Sequence, residues 1–339
     1  MTFKILFAAG AVLLTSSLPT VAPAEDLPLQ SGDTVVMIGS TLIERARLYG
    51  HLEAALQMAA GLEIEGLTFR NLGWSADSVF ADSRSYFGTP QEGRARLAAN
   101  IEELKPTVVF LAYGTGEAMS VEQGWTNEKD AAEASAAGLE TSLELFIDGY
   151  QKKIDAIRNA SAGSIRELIL LSPPPLENLG ELLPDQTQNN RNLASFRDAI
   201  AELARKNQAR FVDLFASLGG DDFDGSIADP ALTDNGVHYT EEGYARLAQA
   251  LIRELGYDET HFVSSDQEAE KVLRNAIIEK NRLFFHRWRP ANETYLFLFR
   301  KHEQGQNAKE IPMFDPLIEA QEARIAKARQ LVFSGKTKN

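Results

Sequence analysis

Five short apolar runs recur along the chain, separated by longer stretches with helical spacing, and this alternation limits the fold more than any other feature. The runs are Val35–Gly39, Leu67–Leu72, Val108–Tyr113, Glu167–Ser172 and Arg210–Leu214. Several are near-continuous rather than alternating, the pattern of strands covered on both faces. Between them, Leu42–Met58, Gln91–Leu104, Leu139–Asn159, Asn190–Asn207 and Thr240–Leu255 repeat apolar residues at helical intervals, with Gly256 placed to cap the last. Strand alternating with helix predicts an α/β fold: a three-layer α/β/α, doubly wound, five-stranded parallel sheet. Pro173-Pro174-Pro175 stops the fourth strand, and no internal repeat is present. Residues 120–138 read as a surface insertion, a solvated loop or short helix, and 175–189 and 219–233 as loops at the carboxyl edge of the sheet.

The ends of the chain read differently. Lys4, the apolar run Ile5–Leu14 and Ala22-Pro23-Ala24 have the layout of an export signal, so residues 1–24 are expected to be a cleaved signal peptide of a periplasmic or secreted protein. That run is too short to span a bilayer, so no stable membrane insertion is expected. Residues 25–258 are expected to form the sheet domain and 259–339 a mainly helical extension packed on or near it. Within the extension, residues 267–285 and Pro316–Val332 read as helices, and 287–295 is dense in polar and aromatic side chains.

Charge and cysteine content exclude several function classes. The formal net charge is −14, and −15 once Lys4 is removed with the signal. This argues against nucleic acid or anionic membrane as a partner. The chain has no cysteine, so disulfides, thiolate zinc sites and cysteine nucleophiles are excluded. His238, Asp234, Glu117 and His286 follow no metal-binding spacing, and the turn after the first strand lacks the glycines of a dinucleotide site. Neither metal nor cofactor is expected, and nothing in the sequence specifies an oligomeric state.

Four short blocks fall at the predicted carboxyl edge. They are Gly39-Ser40-Thr41, Asn71-Leu72-Gly73-Trp74-Ser75, Tyr113-Gly114-Thr115-Gly116-Glu117 and Leu232 to Thr240 with His238. A hydroxyl, two glycine turns and a histidine preceded by Asp234 and Asn235 are the parts of an acyl-transfer site. The same residues have simpler readings: Thr41 with Glu44 as a helix capping box, and Gly73 and Gly114 as tight turns.

In order and spacing these blocks resemble the SGNH hydrolases, the GDSL-type esterase and lipase superfamily, over about residues 32–256. The whole chain resembles a subgroup of secreted SGNH-type proteins of planctomycete-like bacteria that carry a carboxyl-terminal extension. The resemblance implies Thr41 as nucleophile, with Ser40 in place of the family's preceding Asp and itself an alternative nucleophile. It implies His238 as base, oriented by Asp234 or by Asn235, which stands where the family has Asp. The oxyanion donors it implies are the backbone N–H groups of Thr41 and Gly73, with Gly116 in place of the family's Asn. Glu117 replaces the neighbouring Asp and is a candidate substrate contact, as is Trp74; if the fold serves only for binding, Trp74, Tyr113 and Trp125 form either a sugar-stacking wall or part of the core. In the extension, Arg287, Arg289 and Asn292 are candidates to bind substrate or replace the missing donor. The alternative for the extension is a tail packing Trp288, Tyr295, Phe297 and Phe299 on the domain. The expected function is hydrolysis of acyl or acetyl esters of a carbohydrate or other small molecule. The alternative is a catalytically silent binding module of the same fold.

Overall fold

The computed structural model describes residues 28–85, 88–121, 128–180, 182–221, 230–257 and 266–334. The expected signal peptide, the proposed boundary at residue 258 and Trp125 lie outside the described residues.

Five parallel strands form one sheet in the order β2-β1-β3-β4-β5: β1 Thr34–Gly39, β2 Thr68–Asn71, β3 Val108–Ala112, β4 Glu167–Leu171 and β5 Arg210–Val212. The expected α/β doubly wound sheet is what the chain builds. Its helices are α1 Thr41–Tyr49, α2 His51–Ala59, α3 Pro90–Leu104, α4 Thr115–Met119, α5 Glu128–Ala160, α6 Thr187–Lys206, α7 Leu214–Ser217 and α8 Glu241–Glu254. Beyond them come α9 Gln267–Trp288, α10 Glu293–Leu296, α11 Lys301–Gln304 and α12 Asp315–Ser334.

The two-residue period of the strands divides the core into two layers. Val35, Met37, Phe69, Phe110 and Ile169 face α1, α2 and α8, whereas Val36, Ile38, Val109, Leu111 and Leu170 face α3, α5 and α6.

Two expectations need correction. The single helix predicted over Leu42–Met58 is two helices, because Gly50 adopts φ +71°, a left-handed conformation that ends α1 and starts α2. The long helix predicted from Leu139 starts earlier, at Glu128, so residues 128–138 of the expected insertion belong to α5 rather than to a separate loop or short helix.

The carboxyl-terminal helices are built into the body of the fold. Leu273 and Ile277 of α9 and Ile325 of α12 belong to the first core layer, while Leu283, Phe284 and Ile318 belong to the second. α9 therefore wraps the β2 edge, which would otherwise present unpaired backbone groups. Lys280, fully buried, donates to the Phe69 carbonyl of β2 at 3.0 Å and pairs with buried Glu53 of α2 at 2.7 Å. Arg70 pairs with Glu322 at 2.6 Å, and Arg329 donates to the Gly61 and Ile64 carbonyls. Because the core is continuous, Ile277→Val is expected to cost about 1 kcal/mol and to shift one cooperative denaturant transition. A separate early transition for the extension, seen by tryptophan fluorescence, would contradict this.

Candidate active site

The turn after β1 forms as the sequence suggests, but its hydroxyls do not cap the helix. Gly39 is required there: a Cβ would lie 2.5 Å from Ile43 Cγ1 and 2.6 Å from the Ala112 carbonyl. Ser40 is the N-cap of α1 by position, yet its side chain makes no capping bond. Thr41 Oγ1 instead accepts a hydrogen bond from the Ala76 N–H at 3.2 Å. The capping box with Glu44 is absent, since Glu44 Oε2 accepts from Ser75 N–H at 2.6 Å and from Arg289. Thr41 begins α1, so its own N–H has no acceptor within the helix.

The histidine-bearing loop is held from the opposite side. Thr233 and Tyr239 form an isolated antiparallel bridge. Glu177, in the loop after β4, accepts from Leu232 N, Thr233 N and Thr233 Oγ1. Gly236 takes φ +85°, and a Cβ there would sit 2.7 Å from the Glu177 carbonyl. Tyr239 Oη donates to the Pro175 carbonyl at 2.7 Å. These contacts leave His238 facing a cavity of about 540 Å³ that it shares with Ser40, Thr41, Gly116 and Glu117. Among the described residues, no hydrogen bond joins either hydroxyl to the His238 ring.

The orienting partner of His238 is Asn235, and its geometry sets the ring's tautomer. Asn235 Oδ1 accepts from the backbone N–H groups of Val237 at 3.1 Å and His238 at 2.8 Å. The amide NH₂ is therefore the end that meets His238 Nδ1, at 3.1 Å. An NH₂ can only donate, so neutral His238 accepts at Nδ1 and carries its proton on Nε2. A triad base needs the opposite arrangement. Asp234 does not take the role: it is half-exposed and pairs with Arg45 Nη2 at 3.3 Å.

The expected oxyanion donors are also changed. Gly73 N–H donates to Asn71 Oδ1 at 2.8 Å, and Asn71 Nδ2 donates to the Ile43 carbonyl. That N–H is committed within the turn. Glycine is needed at position 73 because a Cβ would overlap the Glu44 backbone nitrogen. Gly116 lines the cavity with open space where a side chain would project. Glu117 also lines it, but both carboxylate oxygens accept backbone N–H groups, from Val79 at 2.9 Å and Gly114 at 3.1 Å. Burial raises its pKa.

Four of the expected substrate contacts lie elsewhere. Trp74 is buried, covered by the Arg289 guanidinium 3.7 Å from its ring centroid and edge-on to Trp288. Arg287 pairs with Glu103 and Asp315, Arg289 with Glu44, and Asn292 precedes α10 with its carbonyl accepting from Tyr295 and Leu296. None of the four lines the cavity, and neither does Tyr113, the other described member of the expected stacking wall, which is buried in the core with its hydroxyl on Asp77. The extension packs at the β2 side, away from the mouth formed by α4, α5 and the histidine loop.

Sequence reasoning missed the groups beneath the cavity. Asp77, whose backbone or side chain lines it, has Oδ2 bonded by Arg84 Nε at 2.7 Å, Tyr113 Oη at 2.7 Å and Lys153 Nζ at 3.4 Å. Lys153 also donates to Tyr113 Oη and to the Ser78 carbonyl. Arg84 and Lys153 are fully buried. Burial raises the Asp77 pKa, but Lys153 and Arg84 outweigh it and hold the carboxyl below its ordinary value. Burial, with Arg84 nearby, brings Lys153 down to about 8 despite Asp77. A signal was present: Lys153 falls on the α5 stripe of Phe146, Tyr150, Ile154 and Ile157, where a charge needs a buried partner.

Among the described residues no cluster of three metal-ligating side chains occurs, and no helix is long and apolar enough to cross a membrane.

Comparison with known proteins places this geometry in context. No curated protein matches the chain. Among solved structures, a gut microbial diltiazem-metabolizing enzyme shares the fold at 16% identity and TM-score 0.51, over 68% of this chain and 48% of that one. An acetylxylan esterase from Geobacillus stearothermophilus aligns at 18% identity and TM-score 0.48, over 70% of this chain and 99% of that one. The model of the GDSL-like lipase/acylhydrolase family matches residues 34–246, which include β1, the Gly73 and Gly116 turns and the His238 loop. The chain belongs to the GDSL-like lipase/acylhydrolase family, a class of carboxylic ester hydrolases.

Proposed function

We propose that the cavity binds a small acyl or acetyl ester of a carbohydrate and hydrolyses it slowly, with Thr41 as nucleophile and His238 as base. The observation that carries this reading is the convergence of Thr41, Ser40 and His238 on one cavity at the carboxyl edge of the sheet. Leu42, Phe80, Phe146 and Leu176 offer the acyl group an apolar wall, and Ser78, Asp82, Ser120 and Ser142 offer hydrogen bonds to the alcohol part. Thr41 Oγ1 attacks the carbonyl and the Thr41 N–H receives the oxyanion. His238 takes the hydroxyl proton and returns it to the leaving alcohol. Water then cleaves the acyl-enzyme by the same route. The Ala76 N–H occupies one lone pair of Oγ1 and leaves the Thr41 proton to be given up. The proton-accepting tautomer of His238 requires giving up the Asn235 bond to Nδ1, at a cost of about 1–3 kcal/mol, which is why the rate is slow. The amino-terminal residues, with Lys4 and the Ala22-Pro23-Ala24 site, support export of the enzyme to the periplasm or medium.

A second reading, a catalytically silent module that binds an ester or glycan in the same cavity, is favoured by the Nε2–H tautomer and the committed Gly73 N–H. Hydrolysis of short p-nitrophenyl acyl esters separates the two. On the first reading, Thr41→Ala and His238→Ala each lower kcat at least about tenfold, and Ser40→Ala does so less. Equal activity in all three variants and the parent would refute the triad assignment. No activity with measurable glycan binding would establish the silent module.

A further inference from the structure

The extension sends one side chain to the back of the Thr41 turn. Arg289, just beyond α9, donates from Nη1 to Glu44 Oε2 at 2.8 Å while its guanidinium lies against the face of Trp74. The same Glu44 oxygen accepts the Ser75 N–H at 2.6 Å. The next N–H along, that of Ala76, is the one that meets Thr41 Oγ1. Ala76 holds φ +61°, a left-handed conformation that a residue with a Cβ keeps only when its surroundings impose it. A continuous set of contacts thus runs from Arg289 through Glu44 and Ser75 to Oγ1. The Arg289–Glu44 pair is sheltered, with the two side chains 23% and 15% exposed, so it is less screened than a surface pair.

Docking of the extension does not depend on Arg289. Lys280 with Glu53, Arg70 with Glu322, and Arg329 with the Gly61 and Ile64 carbonyls hold α9 and α12 independently. Arg289 instead spends its hydrogen bond on a carboxylate in the first turn of α1, three residues from Thr41.

The geometry points to Arg289 as a positioning residue that sets the Ser75–Ala76 turn against Thr41, so that the extension acts on the reaction as well as on the fold. Its effect on turnover rests on the hydrolytic reading above; its hold on the turn does not. Without the guanidinium, Glu44 keeps only the Ser75 N–H, one face of Trp74 is uncovered, and the Ala76 N–H is no longer delivered to one place.

The test uses the full chain with Arg289→Met, Arg289→Lys and, as a comparator at another anchor of the extension, Arg70→Met. Two quantities are read: kcat and KM on short p-nitrophenyl acyl esters, and amide hydrogen exchange at Ser75 and Ala76. Arg289→Met is expected to lower kcat about 10- to 100-fold with KM within about twofold, and to speed exchange at both amides. Arg289→Lys, which keeps the charge beside Glu44, recovers part of each. Arg70→Met moves neither. Unchanged exchange at Ser75 and Ala76 in Arg289→Met overturns the proposal whether or not esters are cleaved. Equal losses in Arg70→Met and Arg289→Met also overturn it, because general loosening of the extension would then explain the effect. Faster exchange in Arg289→Met, in a parent that cleaves no ester, supports the placement of the turn and refutes the hydrolytic reading alone.

Discussion

Replacing Asn235 with aspartate is expected to raise kcat on short acyl esters by about 10²- to 10⁴-fold, the reverse of the loss that an Asp-to-Asn change causes in a serine-protease triad. The backbone of the loop is already in place. Position 235 accepts from the N–H groups of Val237 and His238 through one oxygen, and a carboxylate keeps that oxygen. Its other oxygen then stands where Nδ2 now meets Nδ1, and as an acceptor it requires an N–H on Nδ1. Nε2 is freed to take the Thr41 proton, and the imidazolium gains a counter-ion. Gly116→Asn is expected to add about 10²-fold in that background by supplying an amide donor to the oxyanion. A Cβ at position 116 meets no atom within 4 Å, and Gly116 lines the cavity, so the side chain starts into open space. Steady-state kinetics across the parent, the single and the double variants check both steps. A variant of unchanged rate whose Nδ1 is shown by nitrogen NMR to be protonated would mean that His238 is not the base.

Asp77→Asn is expected to destabilise the fold by about 3–5 kcal/mol, because it leaves two buried cations without their carboxylate. Arg84 and Lys153 are fully buried, and Asp77 Oδ2 is the anionic oxygen both approach. Denaturant midpoints read the loss directly. A companion effect comes from Lys153, whose folded pKa is brought down to about 8 by burial and by Arg84, against 10.5 when unfolded. Between those values the unfolded chain holds more protons than the folded one, so this group makes stability rise as pH goes from about 8 to 10.5. Below 8 the lysine is charged in both states and its burial cost is carried in full. Lys153→Met removes the rise. The difference in urea midpoint between parent and variant should therefore change from pH 7.5 to pH 10, and a constant difference would place Lys153 outside the network.

Much of this architecture was legible because it is written in local periodicity. Strand β3 reads as a strand because Val108 to Tyr113 is an unbroken apolar run between Pro106 and Gly114, and the structure buries all of Val108–Ala112. The split of the first helix was less legible, since Gly50 is compatible with a continuous helix until α9 packs against it. The site's position at the carboxyl edge followed from the parallel sheet, whose connections bring the ends of β1, β2 and β3 together. The substrate roles suggested for Trp74, Arg287, Arg289 and Asn292 did not follow, because polar and aromatic composition does not say which surface a residue faces. Trp74 is enclosed by Arg289 and Trp288, more than 200 residues further along the chain.

The sequence by itself determined the layers, the strand order's raw material and the residues that meet at one edge, since spacing and turn chemistry are properties of neighbouring residues. Only the tertiary structure decided which hydrogen bonds those residues make. Whether Asn235 offers His238 an oxygen or an NH₂ depends on how the loop backbone claims the oxygen first. Whether Gly73 can serve an oxyanion depends on Asn71, which is itself anchored to Ile43 on another element. A hydrogen bond is directional and is decided within a few tenths of an ångström. It therefore depends on distances between distant segments, which only the packed chain defines.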